Sequence, residues 1–217
     1  MSTAKRHIWW ATVVASAGIS AAALTGCGSG DGGETDDLSG PAPVRLSSVD
    51  LQSRWWEWAA AEPTDSNPVA DPTGRDCARN QPKDRWFLAG TFGGHTSRTC
   101  TIPADRPIAF PVVNIVGELM DCGGFDRSAE GTVEVDGEKV AVDRHEGVEF
   151  RYFAAEGNPV TEEEGIFQGA GCGLWAQLPP LSPGRHTVEI RGGAEDLTVS
   201  VDYDLTVEGK PGAARGA

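Results

Sequence analysis

Histidine, methionine and tyrosine are scarce in this chain of 217 residues, with four, two and two copies. The shortage of histidine bears most on chemistry, because no His-Glu-x-x-His pair, no Gly-x-Ser-x-Gly elbow and no Gly-x-x-x-x-Gly-Lys phosphate loop occurs. Zinc proteolysis, nucleophile-elbow hydrolysis and P-loop nucleotide chemistry are therefore excluded as readings. Positive charge is short as well: 18 Lys and Arg stand against 32 Asp and Glu, a formal net of −14. Such a surface repels phosphate backbones, which excludes nucleic acid, and it repels anionic lipid headgroups. No two cysteines have the short spacing that zinc sites favour, so no metal ligand set is assigned to them. Internal repeats are absent too.

Charge is also missing from one stretch near the start. Lys5 and Arg6 precede Ile8 to Leu24, 17 residues without a charged side chain. A positive n-region followed by an apolar h-region is the order of a secretion signal. The run falls short of the roughly 20 residues that span a hydrocarbon core, and Ser16, Gly18 and Ser20 dilute it. Leu24-Thr25-Gly26-Cys27 follows, and it resembles the lipobox of bacterial lipoproteins. That resemblance implies cleavage before Cys27, a diacylglyceryl group on its sulfur, and an extracytoplasmic chain anchored to the outer face of the cell membrane. Two acyl chains hold where a single chain is marginal.

Removal of residues 1–26 takes Lys5 and Arg6 away and leaves the mature chain at −16, from −14 minus 2. Residues 27–45 combine Gly, Ser, Pro and acids with almost no apolar content, the composition of a disordered tether. Its 18 residues after Cys27 have a root-mean-square reach of about 23 Å. A single domain is expected over 46–208, followed by a disordered tail over 209–217.

Four cysteines remain outside the cytoplasm, Cys77, Cys100, Cys122 and Cys172, which implies two disulfides. Three pairings are open. Cys77 with Cys100 and Cys122 with Cys172 is the favoured one, the first flanking an expected hairpin and the second joining two expected turns, Asp121-Cys-Gly-Gly124 and Gly169-Ala-Gly-Cys-Gly173.

Ser47 stands three residues before Asp50, and Leu51, Trp55, Trp58 and Ala59 recur at helical spacing up to Pro63, which predicts one amphipathic N-terminal helix. Trp56 lies off its apolar stripe. The rest reads as strands. Leu197 to Val207 alternates apolar with polar residues over eleven positions, Val133/Val135 and Val140/Val142 flank the tight-turn dipeptide Asp136-Gly137, and 148–152 and 188–191 alternate likewise. Trp86 to Thr91 and Ile108 to Val116 are more continuously apolar, the second interrupted by Pro111, which suits an edge or a bulge. The expected fold is mainly β: an antiparallel two-sheet sandwich, jelly-roll or immunoglobulin-like, with one packed helix.

Trp55-Trp-Glu-Trp58, Asn67-Pro68, Asp71-Pro-Thr-Gly74, Cys77, Trp86-Phe-Leu-Ala-Gly-Thr-Phe-Gly-Gly94, Arg98-Thr-Cys-Thr101 and Phe110-Pro-Val-Val-Asn114 together resemble a family of secreted bacterial proteins without an assigned activity. Leu178 to Val188, with its Ser-Pro-Gly-Arg-His-Thr core, resembles the loop into a late strand of many bacterial sandwich domains, a likeness of architecture only.

Two functions of different class follow. The first is a non-enzymatic binding or interaction module, for a protein or for a saccharide that Trp56, Trp86 or Trp175 would stack on. The second is a glycan hydrolase working through a carboxylate pair 5 to 10 Å apart, for which Glu118 and Asp121 are the candidates. His95, after Gly93-Gly94, is the most site-like histidine, while His145 and His186 read as solvated. Calcium is the one cofactor considered, at Asp71 and Asp76, whose spacing departs from the standard loop.

Overall fold

The structure is a computed structural model in which residues 45–209 are described. The secretion signal, Cys27, the tether up to residue 44 and the tail from residue 210 lie outside those residues. Helix α1 spans Ser48–Ala59, and its first turn is closed by Ser47, whose Oγ accepts from the Asp50 N–H at 3.2 Å and donates to the Asp50 carboxylate at 2.6 Å.

Two sheets follow. The first contains β1 (Trp86–Phe87), β3 (Ile108–Gly117), β6 (Asp143–Ala154) and β7 (Gly165–Leu178), in the order β1-β3-β7-β6. The second contains β2 (Gly94–Pro103), β4 (Glu130–Val135), β5 (Glu138–Lys139), β8 (Gly184–Ala194) and β9 (Leu197–Glu208), in the order β2-β9-β8-β4-β5. The longest alternating run of the sequence is β9, with Val199, Val201, Tyr203, Leu205 and Val207 buried. Asp136 and Gly137 both have positive φ, +54° and +80°, in the tight turn between β4 and β5.

Pairing is antiparallel except at two places, β1 with β3 and β2 with β9. The expectation of an all-antiparallel arrangement fails there for a reason of connectivity. Neither pair is joined by a hairpin, so nothing forces the chain to reverse between its members. Pro111 sits at a register shift in β3, between Pro111 and Val113.

Two apolar layers result. One lies between the sheets, where Phe110, Val112 and Leu174 of the first meet Val133, Ile190 and Val201 of the second. The other lies under α1, where Leu51, Trp55 and Trp58 pack on Phe87, Phe150 and Trp175. At Gly192 the sheets approach so closely that a Cβ would stand 2.3 Å from the Val112 carbonyl oxygen.

The disulfides are Cys77–Cys100 and Cys122–Cys172, with Cα separations of 6.2 and 5.8 Å. The favoured pairing is found, though its local reasons are corrected. Cys77 and Cys100 do not flank a hairpin, since the chain between them visits β1 of the other sheet. Cys122 lies in a second helix, α2 (Leu119–Ser128), where a turn was expected.

Candidate binding groove

Each of the three tryptophans put forward as a stacking surface is buried: Trp56 is 6% exposed, Trp86 5% and Trp175 0%. Trp55 meets Trp56 and Trp175 edge to face, at centroid distances of 5.0 and 5.6 Å, and Arg106 covers Trp86 at 5.6 Å. Their faces serve packing, and the exposed aromatic platform is not at these positions. Trp56 does line the groove described below.

Glu118 and Asp121 share the first turn of α2. The Glu118 N–H donates to Asp121 Oδ2 at 2.8 Å and the Asp121 N–H donates to the Glu118 carbonyl at 3.0 Å. The pair thus caps a helix. His95 is on β2, with Nδ1 3.0 Å from Ser200 Oγ and Nε2 3.7 Å from Asp202. Among the described residues no hydrogen bond joins it to Glu118 or Asp121.

Asp71 and Asp76 are likewise engaged. Asp71 Oδ1 accepts from Thr73 N–H and Oγ1, and its Oδ2 accepts from the Asp76 N–H at 2.9 Å. Burial acts to raise the Asp71 pKa, but these donors outweigh it and hold the carboxyl below its usual range. Arg75 first, then Arg79, lower that of Asp76 by hydrogen bonding. Carboxylates saturated in this way are poor calcium ligands.

The two histidines read as solvated are not. His145 is half-buried beside Trp175, and burial depresses its pKa, outweighing the pull of Asp143. His186 donates from Nδ1 to Asp136 Oδ2 at 2.7 Å and from Nε2 to the Ser182 carbonyl at 2.9 Å. The Asp136 hydrogen bond raises its pKa, with the Ser182 carbonyl adding to it. Ser182 Oγ stands 3.4 Å from the same Nε2, so Asp136, His186 and Ser182 have the identities of a hydrolytic triad. They lack its chemistry: a base needs a free lone pair on Nε2, and here that nitrogen faces a carbonyl oxygen, which only accepts.

The recess with the features of a binding site runs along β3, whose residues Pro111 to Val116 form its floor. Its volume is about 270 Å³. Gly90 to Phe92, Trp56, Val69, Val160, Leu197 and Val199 line it as well. Among the described residues no charged side chain lines it. Trp56 Nε1 and Asn114 Nδ2, donors on two of the lining residues, have no acceptor among the described residues.

Arg98 builds this recess. It lies on β2, 3% exposed, and reaches four backbone carbonyls: Nε donates to Asp71 at 2.8 Å, Nη2 to Val69 at 2.8 Å, and Nη1 to Ala89 and Gly90 at 2.9 and 2.8 Å. Its Nη1 also lies 3.0 Å from the Tyr203 hydroxyl. The chain that runs beside β3 in β1 is thereby drawn off after Leu88, whose N–H still donates to Ala109. Two Asn-Pro-Val turns complete the wall. Asn67 Oδ1 accepts from Val69 N–H and Asn158 Oδ1 accepts from Val160 N–H, each at 2.9 Å, which presents both valines to the groove.

Sequence reasoning passed over Arg98 as a functional residue, although period two puts it on the face of Cys100 and Ile102. It also passed over Asn158-Pro159-Val160, whose signal was the tripeptide already present at Asn67. Comparison with protein-family models, with curated proteins and with solved structures finds no match to this chain.

Proposed function

We propose that the protein is a lipid-anchored, extracytoplasmic binding module that holds its ligand without turnover, and that the ligand site is the groove along β3. The observation that carries this reading is an uncharged, largely apolar recess on a chain of net charge −14. Asp121 accepts from the Glu118 N–H, His95 meets Ser200 and His186 is held by Asp136 and the Ser182 carbonyl, and none of these residues lines the recess. A saccharide is disfavoured as the ligand, because the tryptophan faces that would stack on sugar are covered by protein. Lys5-Arg6, the apolar run and Leu24-Thr-Gly-Cys27 support the anchor and the compartment.

The architecture is read as a β-sandwich of the jelly-roll or immunoglobulin-like kind. The apolar layer shared by the two sheets supports that reading.

The function is tested by protein-observed NMR titration with small neutral solutes, benzyl alcohol and hexanamide. Shift changes are expected to concentrate on Gly90–Phe92 and Val112–Val116, with both solutes recovered unchanged. Changes scattered over the surface, or chemical conversion of hexanamide, would overturn the proposal.

A further inference from the structure

Resting on that reading of the groove, we propose that its natural occupant is an extended, uncharged polypeptide segment that adds as a strand to the open edge of β3. Among the described residues, β3 from Pro111 to Gly117 pairs with β7 on one side and with no strand on the other, whereas Ile108 and Ala109 are also paired with β1. A strand open on one side carries a row of N–H and C=O groups that the fold leaves without partners, and an incoming chain at about 4.8 Å meets them.

The lane for such a chain is already vacated. β1 starts along this edge, and the Arg98 guanidinium of the second sheet holds the Ala89 and Gly90 carbonyls, so strand pairing with β3 is not continued by the next stretch of chain, which lines the recess at Gly90 to Phe92. Pro111, which has no N–H to offer an edge, stands at the point where β1 ends, so added pairing begins beyond it.

The charge of the occupant follows from the lining. A Lys or Arg head would find no counter-ion in the lane, and an Asp or Glu would enter a recess without a cation on a chain of net −14. Small or branched apolar side chains at alternate positions fit, because alternate residues of an added strand face the same wall. Phe92, 52% exposed at the wall, offers further apolar surface for the segment to cover.

The test is selection of random decapeptides displayed on phage against the full mature chain in detergent, with Gly90→Leu as counter-selection. A Cβ at Gly90 would stand 3.7 Å from Val199 Cγ1 and 3.9 Å from Pro111 Cγ, so a larger side chain there enters the lane without a clash at Cβ. Enriched peptides are expected to be uncharged, to alternate apolar residues and to bind wild type at least tenfold tighter than Gly90→Leu. Methylating alternate amides of the best peptide should weaken binding about tenfold per lost hydrogen bond, with the intervening amides tolerant. Exchange of the alternate amides between Val113 and Val116 that face away from β7 should slow when it binds.

Failure to enrich any peptide that depends on the lane, or a methylation effect without alternation, overturns the proposal. So does a mature chain that sediments as a dimer only while Gly90 is present, which would put a second copy there, or a monoacylglycerol that fills the lane where peptides do not. In that last case neutral solutes still map to the groove and the binding function stands. If the solutes fail as well, both fall together.

Discussion

Arg98 ties more of this fold together than any other polar side chain described. Its guanidinium brings together carbonyls of Val69, Asp71, Ala89 and Gly90. Replacing it by Met would keep volume and leave four carbonyls without that donor, and a single buried unsatisfied group costs about 1–3 kcal/mol. Arg98→Met is expected to lose roughly 3 kcal/mol or more, a fall of about 6–12 °C in melting temperature for a domain of this size. Arg98→Lys keeps the charge but offers one point of donation where the fork offered several, so it should fall between the two. Equal melting of all three proteins by calorimetry would remove Arg98 from this role.

The histidines make a pair of opposed expectations. His186 has its pKa raised by Asp136, so its contribution is fully present below the unfolded value of about 6.5 and is lost as pH rises through the folded one. His145 has its pKa depressed by burial, so its neutral form is favoured and stability is lost as pH falls from about 6.5 toward the folded value. His186→Gln should therefore flatten the alkaline side of the stability curve near neutrality, and His145→Gln the acid side. Urea midpoints measured from pH 5 to 8 decide it, and the assignment is wrong if the two substitutions act on the same side.

At the scale of elements, α2 shows what local pattern does and does not reveal. Gly123-Gly124 after Cys122 reads as a turn, since glycine costs a helix interior about 0.5–1 kcal/mol. A helix forms because Glu118 and Asp121 cap its first turn and Cys122 is bonded to Cys172 of β7, the second a contact across 50 residues of chain. Gly123→Ala should therefore stabilise the protein by about 0.5–1 kcal/mol, because a Cβ there meets only Arg127 Nη1, at 3.8 Å. Gly124→Ala should gain less, since its Cβ would stand 2.7 Å from Glu195 Oε1 and displace that side chain. Denaturant titration separates the two, and destabilisation at Gly123 would contradict the helical assignment.

The strands were far more legible. Period two was visible at β9 and β8, and the Asp136-Gly137 turn and the shift at Pro111 were each marked by a residue whose backbone chemistry allows little else. What could not be read was partnership between distant strands. β2 lies parallel to β9, a pairing across about a hundred residues that no local signal encodes. The site suffered most from this. Trp56, judged exposed because it left the helical stripe, is covered, while the open edge of β3 exists only because Arg98 draws the neighbouring chain away. For Arg98 the one local signal is parity with Cys100 and Ile102, which marks an inward-facing position despite its charge.

For the whole molecule, the proposed lipid anchor would have to hold an acidic domain at an acidic surface. Cleaved before Cys27, the chain would carry −16 and would be pushed away from anionic headgroups. Electrostatics would then not supply attachment, and the acids Asp31, Glu34, Asp36 and Asp37 would add to the repulsion. On the proposed reading attachment comes from Cys27, where two acyl chains at about 0.8 kcal/mol per buried CH2 would exceed the marginal binding of one. A metabolic palmitate analogue should label the wild-type protein and follow it into the membrane fraction. Cys27→Ala should lose the label and accumulate a precursor longer by the 26-residue signal. Because the groove lies wholly within residues 45–209, purified Cys27→Ala protein should show the same solute-induced shifts at Gly90–Phe92 as the lipidated form. Label that persists in the alanine variant would show that the acyl group sits elsewhere, and the anchor at Cys27 would then have to be abandoned.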